Sequence, residues 1–326
     1  MICRKWWLLS FGLTALLVTG CGNNDADDNV KIDKTRHDAA WILKIALSGS
    51  LQNAAFSPSS DEIVFTRFVS GYNEDPADIY VLRGLDEGTV KQLVSDGSTN
   101  VNLPGSAWNK NEEAIVFSSS RDPHDEIYMI DDGAEPGDEK IITSRSNFMA
   151  YEPTFSPNGN WVVFESHPLD IENEGVITKY EIDGSDEYVA LTDPSDDCRQ
   201  PNWSPAGDKI LYQRFDGSQW DLWVMNTDGT GQQQITSGPG DKTDASFSPD
   251  GDWIVYSSDE GELDLANIFI IPTVGGNSTR VTNWAGYDGA PSWSPDGKLI
   301  AFESYPGDPD NSPGTKLWII NAPQFL

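Results

Sequence analysis

The chain of 326 residues carries 52 acidic against 21 basic side chains, a formal net charge of −31, and is 38% hydrophobic. So acidic a surface repels phosphate backbones and anionic lipid headgroups, which argues against nucleic acid and polyanionic substrates and suits cationic partners or metal ions. Because the acids are spread along the chain, the same charge also reads simply as a solubilising surface. The apolar content, with 12 Trp, 13 Phe and 10 Tyr, is ample for a packed core.

Residues 1–20 read as an export signal. Arg4 and Lys5 give a charged start, and Trp6 to Leu17 is an apolar run too short to span a bilayer comfortably. Val18-Thr19-Gly20-Cys21 resembles the bacterial lipobox, a pattern that implies cleavage before Cys21 and acylation of its side chain. Several acyl chains on one residue anchor a protein stably where a single chain does not. Gly22, in place of Asp, points to the outer membrane by the enteric sorting pattern. Residues 21–38, polar and acidic, are expected to form a flexible tether. Loss of the signal's two positive charges takes the net charge from −31 to −33. Cys3 leaves with the signal and Cys21 is acylated, so no intramolecular disulfide is expected, and Cys198 reads as a small buried residue.

Residues 39–326 are built on a repeat. An aromatic residue, a turn and a short apolar strand recur as FSPSSDEIVF from Phe56, WNKNEEAIVF from Trp108, FSPNGNWVVF from Phe155, WSPAGDKILY from Trp203, FSPDGDWIVY from Phe247 and WSPDGKLIAF from Trp293. The aromatic anchors stand 52, 47, 48, 44 and 46 residues apart, a period that marks a propeller, solenoid or array. In the fifth unit, strands are predicted over 244–247, 253–257, 267–272 and 279–281, with the turns Pro249-Asp250-Gly251 and Gly275-Gly276 between them. Four antiparallel strands in about 46 residues make a propeller blade. The first two units depart from the turn pattern, with Ser59-Ser60 in one and Asn109-Lys110-Asn111-Glu112 in the other, which predicts longer or less rigid hairpins. The sixth unit stops three strands in, while the apolar stretch Trp41–Leu47 is unassigned. That stretch is expected to be the missing outer strand of blade six, closing the ring and covering an edge that would otherwise invite aggregation.

The segments FSPDGDWIVYSS, WDLWVMNTDGTGQQQIT and FSSSRDPHDEIYMI resemble the TolB-like propeller repeat, over about Trp41 to Phe325. The resemblance implies a closed six-bladed β-propeller of four-stranded antiparallel blades. It specifies function weakly. TolB itself carries an α/β domain ahead of its propeller and binds a peptidoglycan-associated lipoprotein, a role not carried over to this chain.

Catalytic signatures are sparse. The one Gly-x-Ser, Gly276-Asn277-Ser278, has Arg280 where a nucleophile elbow needs its second Gly. His37 falls in the tether, and His124 and His167 are expected on solvated loops, with a metal shared with Asp122 or Asp170 the lesser alternative. Asp308, Asp310 and Asn311 form a weak Ca²⁺ candidate, with oxygen ligands at short spacing but no full calcium loop, so no cofactor is expected. A ligand is expected at the channel mouth, rimmed by the residues three and four positions before each aromatic anchor. These are Gln52 and Asn53, Pro104 and Gly105, Tyr151 and Glu152, Arg199 and Gln200, Thr243 and Asp244, and Gly289 and Ala290, with Asp288 one step further out. Tyr and Arg there are types enriched at binding hot spots. The expected function is a non-enzymatic, lipid-anchored scaffold of the bacterial envelope that binds a protein or peptide. The alternative is a carbohydrate-binding or carbohydrate-active propeller using carboxylates in its funnel.

Overall fold

The structure, a computed structural model, describes residues 40–323 apart from 75, 87, 96–100, 104–106, 110–113, 170, 172, 183, 185–186, 261–264 and 307–313. The expected signal, the acylated Cys21, the tether and the irregular turn at 110–112 lie outside the described residues.

Six four-stranded antiparallel sheets follow one another along the chain. Blade five shows why the sequence makes them. Trp253–Ser258 reads WIVYSS, aromatic and β-branched, and its interior is buried on both faces. It pairs with the inner strand Lys242–Phe247 on one side and with Asn267–Pro272 on the other, and Thr279–Arg280 completes the sheet. Ser248 fixes the first hairpin: its hydroxyl donates to the Asp250 carboxylate (2.5 Å) and accepts the Trp253 N–H (2.9 Å). The Ser156, Ser204 and Ser294 hydroxyls accept in the same way from Trp161, Lys209 and Leu299. Blade one keeps this turn although it lacks the Gly: Ser60 takes the left-handed φ of +70° that Gly251 takes at +80°, so the hairpin is no longer than the others. A threonine staples the outer half of each of four blades. The Thr143, Thr192, Thr236 and Thr282 hydroxyls accept the N–H of Ile127, Ile177, Leu222 and Ile268 in the neighbouring strand.

The core is divided. Six hydrophobic clusters lie one between each pair of neighbouring blades, the last joining blade six to blade one. The aromatic anchors sit in these clusters. Phe56, Trp108, Phe155, Phe247 and Trp293 are buried, Trp203 is partly so, and Trp108 Nε1 donates to the Ala55 carbonyl of the preceding blade (3.2 Å).

The ring closes as expected, with a shorter strand. Ala40–Ile42 pairs antiparallel with Lys316–Asn321, Trp41 opposite Ile319, and Leu43 adds an N–H bond to the Leu317 carbonyl (2.9 Å). Residues 44–47 leave the sheet because the chain must cross from the outer edge to the centre. The crossing ends at Gly49, at φ +92°, where an added Cβ would stand 2.3 Å from the Phe68 carbonyl oxygen. A second latch follows at once. Thr315 N donates to the Ser50 hydroxyl (3.0 Å), Thr315 Oγ1 donates to the Leu51 carbonyl (2.8 Å), and Leu51 N donates to the Thr315 carbonyl (3.1 Å).

Two stability changes follow. Deleting residues 40–43 removes a paired strand and buried Leu43 and lowers unfolding free energy by several kcal/mol; an unchanged urea midpoint refutes the closure. Ser60→Gly relieves a left-handed non-glycine residue and raises stability by about 1 kcal/mol, read in the same titration.

Candidate functional site

Every described inner strand of five or more residues carries a β-bulge at the same place. The register shifts between Gln52 and Ala55, Tyr151 and Thr154, Arg199 and Asn202, Thr243 and Ser246, and Gly289 and Ser292. The residue three before the anchor takes a left-handed φ each time: Asn53 (+53°), Glu152 (+49°), Gln200 (+49°), Asp244 (+52°) and Ala290 (+45°). Bulges re-aim side chains, and these five residues line one pocket at the centre of the ring.

The bulge separates eight of the expected rim residues into two sets. Asn53, Glu152, Gln200 and Asp244 are brought together in the channel. Their neighbours turn between blades. Gln52 is buried, its amide donating to the Ser50 hydroxyl (2.9 Å). The Tyr151 hydroxyl donates to Asp125 (2.9 Å) and Arg199 Nε to Asp197 (3.0 Å). Asp288 is fully buried, its N–H on the Ala266 carbonyl (2.9 Å). Of the remaining rim positions, Pro104 and Gly105 lie outside the described residues, as do Asp170 and the calcium candidates Asp308, Asp310 and Asn311. Among the described residues, no group of three or more His, Cys, Asp or Glu is placed to hold a metal ion.

Two acids that matter were not singled out by the sequence reading, Glu165 and Glu303. A backbone N–H at a bulge must find an acceptor. For Gln200 it is Glu165 Oε2 (3.1 Å), for Asn53 Glu303 Oε2 (3.3 Å), and for Ala290 the Ser257 hydroxyl (3.0 Å), each from the preceding blade. For Asp244 it is Gln200 Oε1 (2.9 Å), whose Nε2 in turn donates to the Asp244 carboxylate (3.0 Å). The available signal was the polar residue directly after the aromatic that closes each repeat segment: Thr66, Ser118, Glu165, Gln213, Ser257 and Glu303 each follow an apolar run.

The resulting electrostatics are uneven. Burial, then the charges of Glu165 and Asp244, pushes Glu152 well above the usual carboxyl range. Burial raises Asp244 as well. Burial and then Asp244 push Glu303 up to about 8, even though its Oε1 accepts the hydroxyls of Tyr287 (3.0 Å) and Tyr72 (3.2 Å). Tyr72, from the loop between the second and third strands of blade one, reaches across the ring's seam to meet Tyr287 (2.9 Å). Glu165 is the exception: its burial would raise it, but His167 and Arg199 outweigh that and lower it.

His167 corrects an expectation. It is not a loop residue: the second strand of blade three runs over Trp161–Pro168, and His167 is fully buried there with Nε2 2.5 Å from Glu165. His124 does lie on its loop, but half-buried rather than solvated, with Nε2 2.6 Å from the Arg145 carbonyl oxygen. Cys198 is buried as expected, its thiol pushed up to about 12 chiefly by that burial.

Glu303, Glu152 and Asp244 keep protons in the fold to higher pH than in the unfolded chain. Taking Glu303, the folded state holds an extra proton between 4.5 and about 8, so its contribution to stability is complete below that window and is lost as pH rises through it. Glu303→Gln keeps the neutral shape. The stability of wild type relative to this variant, from denaturant midpoints, therefore falls with rising pH, and a difference independent of pH contradicts the assignment.

The family model of the TolB β-propeller domain matches residues 191–304. An uncharacterised protein of Agrobacterium fabrum is 26% identical over 168 residues, 48% of this chain and 55% of the relative. A TolB homolog of Chlorobium luteolum is 27% identical over 144 residues, 44% of this chain and 31% of the relative. The chain thus spans about half of the first of these relatives and about a third of the second. In fold, it resembles the solved structure of a TolB assigned to Agrobacterium tumefaciens, with a TM-score of 0.60 at 16% identity, covering 84% of this chain and 91% of the other. Repeat, blade architecture and family match agree on a TolB-like β-propeller, which the family model matches over residues 191–304.

Proposed function

We propose that this propeller is a non-enzymatic scaffold of the bacterial cell envelope that binds a protein or peptide. Held to the outer membrane by acyl chains on Cys21, it would face the periplasm. Its TolB-like kinship supports an envelope setting, and its N-terminal sequence supports the anchor.

The observation that carries the reading is the make-up of one face. Each inner strand starts at this face, and antiparallel pairing returns the loops between second and third strands to it. There the Arg199 guanidinium lies 5.0 Å from the Trp220 ring centre, and the Phe215 ring, 37% exposed, lies 5.2 Å from that of Trp220 at a tilt of 44°. Tyr72 and Tyr287 stand at the blade six–blade one seam of the same face. Arg, Trp and Tyr on a rigid base are what protein recognition uses most. The acidic surface favours a partner with positive charge.

A carbohydrate-active propeller is the second reading, and Glu303 favours it: a carboxyl still protonated near neutral pH can act as a general acid.

A photo-crosslinking residue at Phe215 is expected to trap a discrete envelope protein. The same residue at Val274, 83% exposed in a turn on the opposite face, traps none. Equal labelling from both faces, or turnover of envelope glycan by the purified protein that Glu303→Gln abolishes, overturns the scaffold reading.

A further inference from the structure

Arg145 is an arginine whose charge the fold leaves unmatched. Arg67, Arg83, Arg121, Arg199 and Arg214 each pair with a carboxylate. Arg280 donates to the Thr282 and Trp284 carbonyls and to Asn267 Oδ1. Arg145 makes one side-chain hydrogen bond, from Nη1 to the hydroxyl of buried Ser166 (2.6 Å), and its guanidinium has no carboxylate partner among the described residues. In a chain of 52 acidic and 21 basic side chains, a guanidinium without a counter-charge is an exception that asks for a cause.

The surroundings of that guanidinium are fixed. Arg145 lies in the loop entering Phe148–Phe155, on the face where the inner strands start. Its backbone N–H donates to Glu126 Oε1 (2.8 Å), and its carbonyl accepts from His124 Nε2 (2.6 Å). The other oxygen of buried Glu126 accepts the Thr143 hydroxyl (2.5 Å), so that carboxylate is held by the fold. The guanidinium stands 3.8 Å from the Phe148 ring centre and 4.8 Å from that of Tyr188. Tyr188 is itself held, its hydroxyl accepting the Ser144 N–H (3.1 Å) and its ring stacked 4.8 Å from Tyr180. Rings at this distance cover the flat face of a guanidinium and leave its N–H edge. Nε and Nη2 of Arg145 have no partner among the described residues, and they reach solvent, unlike Arg121 Nη2, which is buried without one. Burial holds Arg145 below the usual guanidinium range, although the charges of Tyr188 and Glu126 oppose it. Backbone, face and one donor are thus set, and the planar edge of the fork is free, which is half of a bidentate pair.

We propose that Arg145 receives a single carboxylate of the partner, laid edge to edge on Nε and Nη2. A planar carboxylate matches the fork with two parallel hydrogen bonds. A phosphate or sulfate fits less well, because its second charge meets a chain of net charge −31. One carboxylate on an otherwise cationic partner suits both Arg145 and the acidic surface around it. The inference deepens the scaffold reading and rests on it only for the origin of the carboxylate.

The test follows the Nε–H signal of Arg145 in the full chain by heteronuclear NMR, assigned by its loss in Arg145→Lys. The probes are acetyl-Gly-Glu-Gly-amide, with a side-chain carboxylate, and acetyl-Gly-Gly, with a terminal one; acetyl-Gly-Gln-Gly-amide is the control. At least one carboxylate peptide is expected to shift the signal saturably, with a Kd on the order of 1 mM, and the control not at all. The tighter of the two names the source. Arg145→Lys keeps the charge but loses the fork, and weakens binding about tenfold, read from the Phe148 and Tyr188 amide signals. Near-UV circular dichroism verifies the fold of the variant, and the comparison of the three peptides needs wild type alone. Equal shifts with the glutamine control overturn the proposal, as does undiminished binding to Arg145→Lys. So does the absence of a shift with either carboxylate at on the order of 10 mM. Displacement of the peptide by inorganic phosphate at a lower concentration than the peptide's own makes this a phosphate site and also overturns it. If the peptides fail while crosslinks from Phe215 persist, the carboxylate site falls and the scaffold stands. If a peptide binds and those crosslinks are absent, the scaffold reading falls alone.

Discussion

Each sheet of this protein is apolar on both faces, and that constraint dictates the rest. A sheet with one oily face is satisfied by one neighbour; these need two. Ile254 of blade five packs towards blade four while Val255, the next residue, packs towards blade six. A linear stack would leave two such faces in water, and only a ring leaves none. The division of the core into six slabs follows, as does the need for Ala40–Ile42 to complete blade six.

Stacking sheets around an axis also brings their inner strands too close for ordinary side-chain alternation, and the bulges absorb the mismatch. Each bulge exposes a backbone N–H towards the preceding blade, and that blade must supply an acceptor. Glu165, Ser257 and Glu303 are there for this structural reason. Two of the three are acids, so satisfying the backbone buries carboxyls behind the channel wall, and after burial itself the charge of Glu165 is the next cause that raises Glu152.

The fold was legible because its signals are local and repeated. An aromatic anchor, a Ser hydroxyl capping a turn and a Gly at positive φ recur with one meaning each, and even Ser60 in the place of Gly left the hairpin unchanged. The site was legible by half. Position three before the anchor points into the channel and position four does not, but a bulge is invisible in a pattern of polar and apolar letters, so Gln52 and Asp288 were grouped with residues they do not join. His167 was misread because polar residues such as Glu165, Ser166 and His167 look like a loop, whereas the paired strand runs to Pro168 and buries them. Glu165 finds a partner on the next blade, in the Gln200 N–H, a relation that spacing along one chain does not encode.

Closure has a temporal side. The outer strand of blade six lies at residues 40–42 and its partner at 316–321, so the earliest part of the fold to leave the ribosome must wait for nearly the latest. Blades two to five form from neighbours in sequence as they emerge. The seam does not, and until it seals, an apolar slab and an unpaired strand edge face the surrounding medium. Folding is therefore most exposed to aggregation just before the seam closes, when a chaperone that shields the first strand would have its greatest effect.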